Sequence, residues 1–117
     1  MARITAHDLG TAALKAWQSG TANRGQLAIA TRYTLELLEQ LAPGHSVEVR
    51  VPPFAAVQVI EGPPHTRGTP PNVIETDADT WLQLATGALT WPDAIANAQV
   101  NASGERCTQI AEYLPLI

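Results

Sequence analysis

Apolar residues recur along this chain with two different periods, and the changes from one to the other divide it into elements. Between Thr5 and about Gln18, Ala6, Leu9, Ala13, Ala16 and Trp17 fall on one stripe at helical spacing. Thr5, with Asp8 three residues on, offers a hydroxyl cap and a carboxylate at the positive helix end, and Gly20 suits a left-handed stop. Trp17 is the expected anchor of this helix in the core. Asn23 with Gln26 predicts the cap of a longer helix running through Leu41, about 27 Å at 1.5 Å per residue, before Pro43-Gly44 stops it. Its apolar face, Leu27, Ala30, Thr34, Leu37, Leu38 and Leu41 with Ile29 and Tyr33 beside it, is wide enough to meet both a sheet and another helix. Arg32, Glu36, Glu39 and Gln40 lie off that face and read as solvated.

After Gly44 the period becomes two. Val47, Val49 and Val51 alternate with Ser46, Glu48 and Arg50, the pattern of a strand with one wet face. Beyond Pro52-Pro53, the run Phe54 to Ile60 is more uniformly apolar and reads as a central strand whose one polar group, Gln58, needs a partner. Glu61 to Pro71 has no period, and six of its eleven residues are Gly or Pro, so it is a loop stiffened by proline. Asn72 to Glu75 predicts a short strand. Thr76 or Asp77 caps a helix with Trp81, Leu82, Leu84 and Ala85 inside and Gly87 at its end. Thr90 and Pro92 open another, with Trp91, Ala94, Ile95 and Ala98 inside. Val100 to Ser103 fits a last short strand. The tail after Gly104 makes a helical turn through Ile110 and Tyr113, then docks Leu114, Leu116 and Ile117 on the core.

The resulting order, two helices, two strands, a loop, a strand, two helices, a strand and a tail, is mixed rather than alternating. It predicts an α+β fold with an antiparallel sheet backed by helices.

Composition narrows the function. The 117 residues fit one domain, 1–117, and leave no room for two cores. The net charge is −4, with five basic and four acidic residues in Met1–Ile60 and two against seven thereafter. The basic residues are scattered and only Lys15 is lysine, so neither nucleic acid nor an anionic membrane surface is an expected partner. A single cysteine, Cys107, excludes an internal disulfide and a multi-cysteine zinc site and suits a reducing cytoplasm. No signal peptide or span of about 20 apolar residues is present, so a cytoplasmic location without integral membrane association is expected, and Asn101-Ala102-Ser103 is a chance glycosylation match.

Three segments carry a family likeness: Val73-Ile74-Glu75-Thr76-Asp77, the run Trp81 to Gly87, and Asn101-Ala102-Ser103-Gly104. Together they resemble the core of the sterol carrier protein family. The stretches HSVEVRVPPFAAVQ (His45 to Gln58) and EGPPHTRGTPPNVIETD (Glu61 to Asp77) resemble its short bacterial, mainly actinobacterial, members, and the likeness covers roughly Arg24 to Leu116. It divides the chain into an N-terminal helix, 1–22, and a family core, 23–117. The resemblance implies a roughly five-stranded, mainly antiparallel sheet packed against helices, and in some members an apolar tunnel that holds a lipid or sterol. The fold is also used beside mycothiol-dependent isomerases, whose metal-binding helical domain has no counterpart in this chain.

The candidate ligand-binding residues are His65, Arg67 and Thr69 on the stiffened loop, Gln58 on the strand before it, and the indoles of Trp81 and Trp91. A guanidinium, an imidazole and hydroxyls, including Thr66, could hold a carboxylate or phosphate. The same loop also reads as a connector in which Arg67 pairs with Glu61 or Glu75. Trp17, Trp81 and Trp91 could line a cavity, yet each also fits a core position. His7, His45 and His65 lack metal-ligand spacing, and Cys107 has no neighbouring base in sequence, so no metal or cofactor is expected. Asp77 and Asp79 are explained by their place in a first helical turn. With no nucleophile elbow, phosphate loop or acid–base pair, the expectation is a non-catalytic domain binding an apolar or amphipathic small molecule. The alternative is an interaction or accessory module, forming a homodimer, that keeps the fold without a tunnel.

Overall fold

The structure is a computed structural model and describes residues 5–63 and 72–117. The chain forms helix α1 (His7–Gln18), helix α2 (Arg24–Leu41), strands β1 (Val47–Val51), β2 (Ala55–Val59) and β3 (Asn72–Glu75), helices α3 (Ala78–Thr86) and α4 (Trp91–Ala96), strand β4 (Asn101–Ser103) and a 3₁₀ helix, Glu105–Tyr113. The strands make one sheet in the order β2-β1-β3-β4.

Two features of the sheet differ from expectation. Among the described residues it has four strands rather than five, and it is mixed. β1 pairs antiparallel with β2 but parallel with β3, and β3 pairs antiparallel with β4. β2 ends opposite the start of β1, with Val59 against Val47, and Asn72 at the head of β3 lies against Val47 from the other side. A chain that leaves one side of β1 and re-enters on the other at the same end must run with β1. The same order makes β2 an edge strand instead of a central one.

The valines of β1 behave as their alternation requires. Val47, Val49 and Val51 are buried beneath the helices, while Glu48 and Arg50 form an ion pair on the opposite face. α2 is fastened at its start by a reciprocal cap in which Gln26 N–H donates to Asn23 Oδ1 (2.8 Å) and Asn23 N–H donates to Gln26 Oε1 (3.0 Å). It buries Leu35 and Leu38 fully, and each such side chain stabilises the fold by about 1.5–3 kcal/mol. Leu41, expected inside, is 57% exposed at the last residue of the helix. The Arg24 guanidinium lies over the Phe54 ring, 5.3 Å from its centroid, tying the head of α2 to the turn before β2.

α3 is capped by Asp77, whose Oδ1 accepts from Thr80 N–H at 2.7 Å, and stops at Gly87 with φ 83°. Thr90 caps α4. Ile95, expected inside with Trp91 and Ala94, is exposed on this six-residue helix. The tail is held to α3 by Leu116 N–H donating to Ala85 O (2.8 Å), and Ile117 remains exposed.

α1 is rotated relative to the expected stripe. Its buried residues are Gly10, Ala13 and Leu14, its first residue is His7, and Ala6 precedes it without a side-chain cap. Thr5 does not cap the helix: its backbone N–H donates to Glu36 Oε1 of α2 at 2.8 Å. The rotation follows from Gly10. The Tyr33 ring sits where a Cβ of residue 10 would be, 2.2 Å from that position, so the side-chain-free face of α1 is the one that meets α2.

Candidate functional site

The edge position of β2 leaves part of the sheet's inner face uncovered. Val59 is fully buried, but Ala55 and Val57, on the same face, are only half-buried. Beside them runs a stripe of α2, Ile29, Arg32, Glu36 and Glu39, spaced at three and four residues and therefore on one side of the helix. The start of α1, with Thr5, Ala6 and Leu9, forms the third side. The space between these walls is an open groove of ≈ 820 Å³.

The groove is unequal along its length. Arg24 of α2 lies at Phe54, and Ile60 N–H donates to Ala42 O, so α2 and β2 run in the same direction. Ile29 therefore stands toward the Ala55 end, and Glu36 and Glu39 toward the other. Leu9, Ile29, Ala55 and Val57 supply apolar surface, and Leu9 is 60% exposed although it is a leucine. Arg32 is the one cation lining the groove and makes no ion pair among the described residues. Glu36 is already engaged by the Thr5 N–H. Such a surface matches a molecule with an apolar body and a polar end better than one that is wholly apolar or wholly polar.

The family model described as bacterial SCP ortholog matches residues 23–116. The chain belongs to this bacterial sterol-carrier-like family. A comparison with curated proteins finds no match. The family-matched residues supply two walls of the groove, α2 and β2, while α1 precedes them.

Of the ligand-binding candidates, His65, Arg67 and Thr69 lie outside the described residues. Gln58 is exposed on the outer face of β2, its Oε1 2.8 Å from His45 Nδ1. Trp81 is fully buried in the core of this sterol-carrier-like fold, and its indole N–H donates to Thr34 Oγ1 at 2.8 Å. Trp91 borders a separate pocket of ≈ 240 Å³ with Leu84, Leu89, Leu114 and Pro115. Trp17 is half-buried and donates to Asp79 Oδ1 at 2.9 Å. Gln58, Trp81 and Trp91 are thus in three different places, and none lines the large groove.

The groove residues come from segments distant in sequence, and Arg32 and Glu36 look like ordinary solvated positions. The one local signal was Ile29, a large apolar residue beside the main face of α2.

Among the described residues, no group of three or more His, Cys, Asp or Glu side chains could hold a metal ion. The Cys107 thiol is buried and donates to Ser103 O at 3.0 Å. Burial pushes its pKa up, and the hydrogen bonds to Ser103 and Val73 offset part of that rise, so the thiolate needed for nucleophilic attack is disfavoured. Among the described residues, no helix is long and apolar enough to cross a membrane.

Proposed function

We propose that this sterol-carrier-like chain is a non-catalytic binding protein for an amphipathic small molecule, lipid or sterol-like, held in the groove between α2, α1 and the β2 edge. The observation that carries the reading is the polarity of that groove: Leu9, Ile29 and Val57 offer apolar contact, and beyond them the stripe turns charged with Arg32, Glu36 and Glu39, where Arg32, without a carboxylate partner among the described residues, is available to a polar head. Family membership supports it. Cys107, a buried thiol, suits a reducing compartment, and we place the protein in the cytoplasm.

Titration with a fluorescent polyene fatty acid and a fluorescent sterol, together with native mass spectrometry of the purified protein, tests the proposal. Saturable one-to-one uptake of either probe is expected. Absence of uptake of both, with no co-purified small molecule, would overturn it.

A second reading rests on the same edge strand. The outer backbone edge of β2 has no strand neighbour among the described residues, and such an edge can pair with a strand from a second copy. In that reading the protein is a homodimeric interaction module. Light scattering across a concentration series separates the two, since a strict monomer counts against the dimer.

A further inference from the structure

The groove's third wall is the unusual one. α1 lies before the family-matched residues, yet it is fixed against α2 at three successive points. Thr5 N–H donates to Glu36 Oε1 at 2.8 Å, His7 Nδ1 lies 2.6 Å from the Tyr33 hydroxyl, and Gly10 lets the Tyr33 ring pack on the helix backbone. These contacts hold the first turns of α1 in one position. Leu9 lies between them in sequence, and it does not share their direction: it is 60% exposed and lines the groove. A helix so closely fitted to its neighbour has little freedom to hide that leucine.

We propose that α1 is a ligand-contacting wall and that Leu9 closes the apolar part of a bound amphiphile against Ile29 and Val57. This rests on the groove being the binding site, as proposed above. An apolar side chain left largely in water gains when a ligand covers it, and covering a leucine is enough to change affinity by about tenfold or more. The occupant is an amphiphile whose anionic end meets Arg32, the one cation of the groove, next to the apolar contacts; of the two carboxylates that also line it, Glu36 is engaged by the Thr5 N–H and Glu39 lies about two helical turns beyond Arg32.

The test uses the full chain and the polyene fatty acid as probe, with the fluorescent sterol as a second arm. Leu9→Asp is expected to weaken fatty-acid binding by about tenfold or more while leaving the melting temperature unchanged, since the residue is mostly exposed and an acid in a first helical turn suits the helix dipole. Leu9→Met should keep the affinity. Ile29→Asp, which alters the α2 wall, should also lose binding. If Leu9→Asp binds like wild type while Ile29→Asp does not, the groove stands and the role of α1 is overturned. If both variants bind like wild type, the ligand lies elsewhere and the inference falls with the groove. Preference for the sterol over the fatty acid would overturn the anionic occupant. Should Leu9→Asp lower the melting temperature, hydrogen exchange of the wild-type protein with and without fatty acid decides. Added protection in the first turns of α1 is expected, and its absence there, with protection on α2 and β2, overturns the proposal.

Discussion

The indole N–H of Trp81 on α3 donates to the Thr34 hydroxyl on α2 at 2.8 Å, and that hydroxyl in turn donates to the Ala30 carbonyl at 2.8 Å. Both side chains are fully buried. The relay satisfies the polar atom of the largest core side chain and joins two helices across their contact. Thr34→Val preserves shape but leaves the indole N–H without its partner, and a buried unsatisfied donor costs about 1–3 kcal/mol. Chemical denaturation should show a loss of that size for Thr34→Val and a smaller one for Thr34→Ser, which keeps the acceptor. Equal losses for the two would mean that the methyl group, not the hydrogen bond, is what matters.

At Gly10, α1 approaches α2 too closely to leave room for a side chain. In an unpacked helix, alanine is favoured over glycine by about 1 kcal/mol. Here a Cβ would stand 2.2 Å from Tyr33 Cγ, so Gly10→Ala must push the helix or the ring aside. The expected net effect is destabilising by about 1–3 kcal/mol, the usual range for overpacking. A double-mutant cycle with Tyr33→Ala checks the cause: the alanine at position 10 should cost less once the ring is gone. Additive effects would show that the clash is not the source.

These two contacts show where reading the chain succeeds and where it stops. Caps and stops are local, so Asn23 with Gln26, Asp77, Thr90 and Gly87 all do in the structure what their residue types indicate. The alternation of Val47, Val49 and Val51 is equally local, and it gives the correct inner face. The apolar stripe gives the wrong phase for α1 because the contact with Tyr33 of α2 is made through Gly10, which contributes nothing to such a stripe. The run Phe54 to Ile60 is apolar enough for a central strand, yet its place at the edge depends on where β3 re-enters, which no local pattern specifies. The groove follows from that edge position, so Leu9, Ile29 and Val57 were beyond reach as a set even though each is visible as an apolar residue.

Gly87 ends α3 with φ 83° and ψ 6°, and its N–H donates to Leu84 O. A left-handed conformation costs an ordinary residue about 1–2 kcal/mol. An added Cβ would meet the Pro115 ring at 3.4 Å, which is ordinary contact, so the cost of Gly87→Ala should come from the backbone alone. We expect about 1–2 kcal/mol from denaturation, with Gly87→Asn milder because asparagine tolerates this region. A loss for asparagine as large as that for alanine, or larger, would point instead to displacement of the tail, because both variants carry the Cβ that meets Pro115.

Cys107 links the 3₁₀ helix to β4 and β3 through its thiol, whose single S–H is shared between Ser103 O (3.0 Å) and Val73 O (3.5 Å). Because burial raises its pKa in the folded protein, the proton is held more tightly there than in the unfolded chain. Below the unfolded value, about 8.5, both states are protonated and the contribution of the thiol is fully present. As pH rises past that value, the unfolded chain releases its proton while the fold retains it, and stability is lost until pH passes the raised folded pKa. Denaturation of wild type and Cys107→Ala across this range should therefore give a stability difference that is constant near neutrality and shrinks in alkali, favouring the variant progressively. A difference independent of pH would show that burial does not hold the proton. Alkylation supplies an independent check at neutral pH: the native thiol should react far more slowly than the same thiol in denaturant, at a rate set by opening of the 3₁₀ helix away from β3.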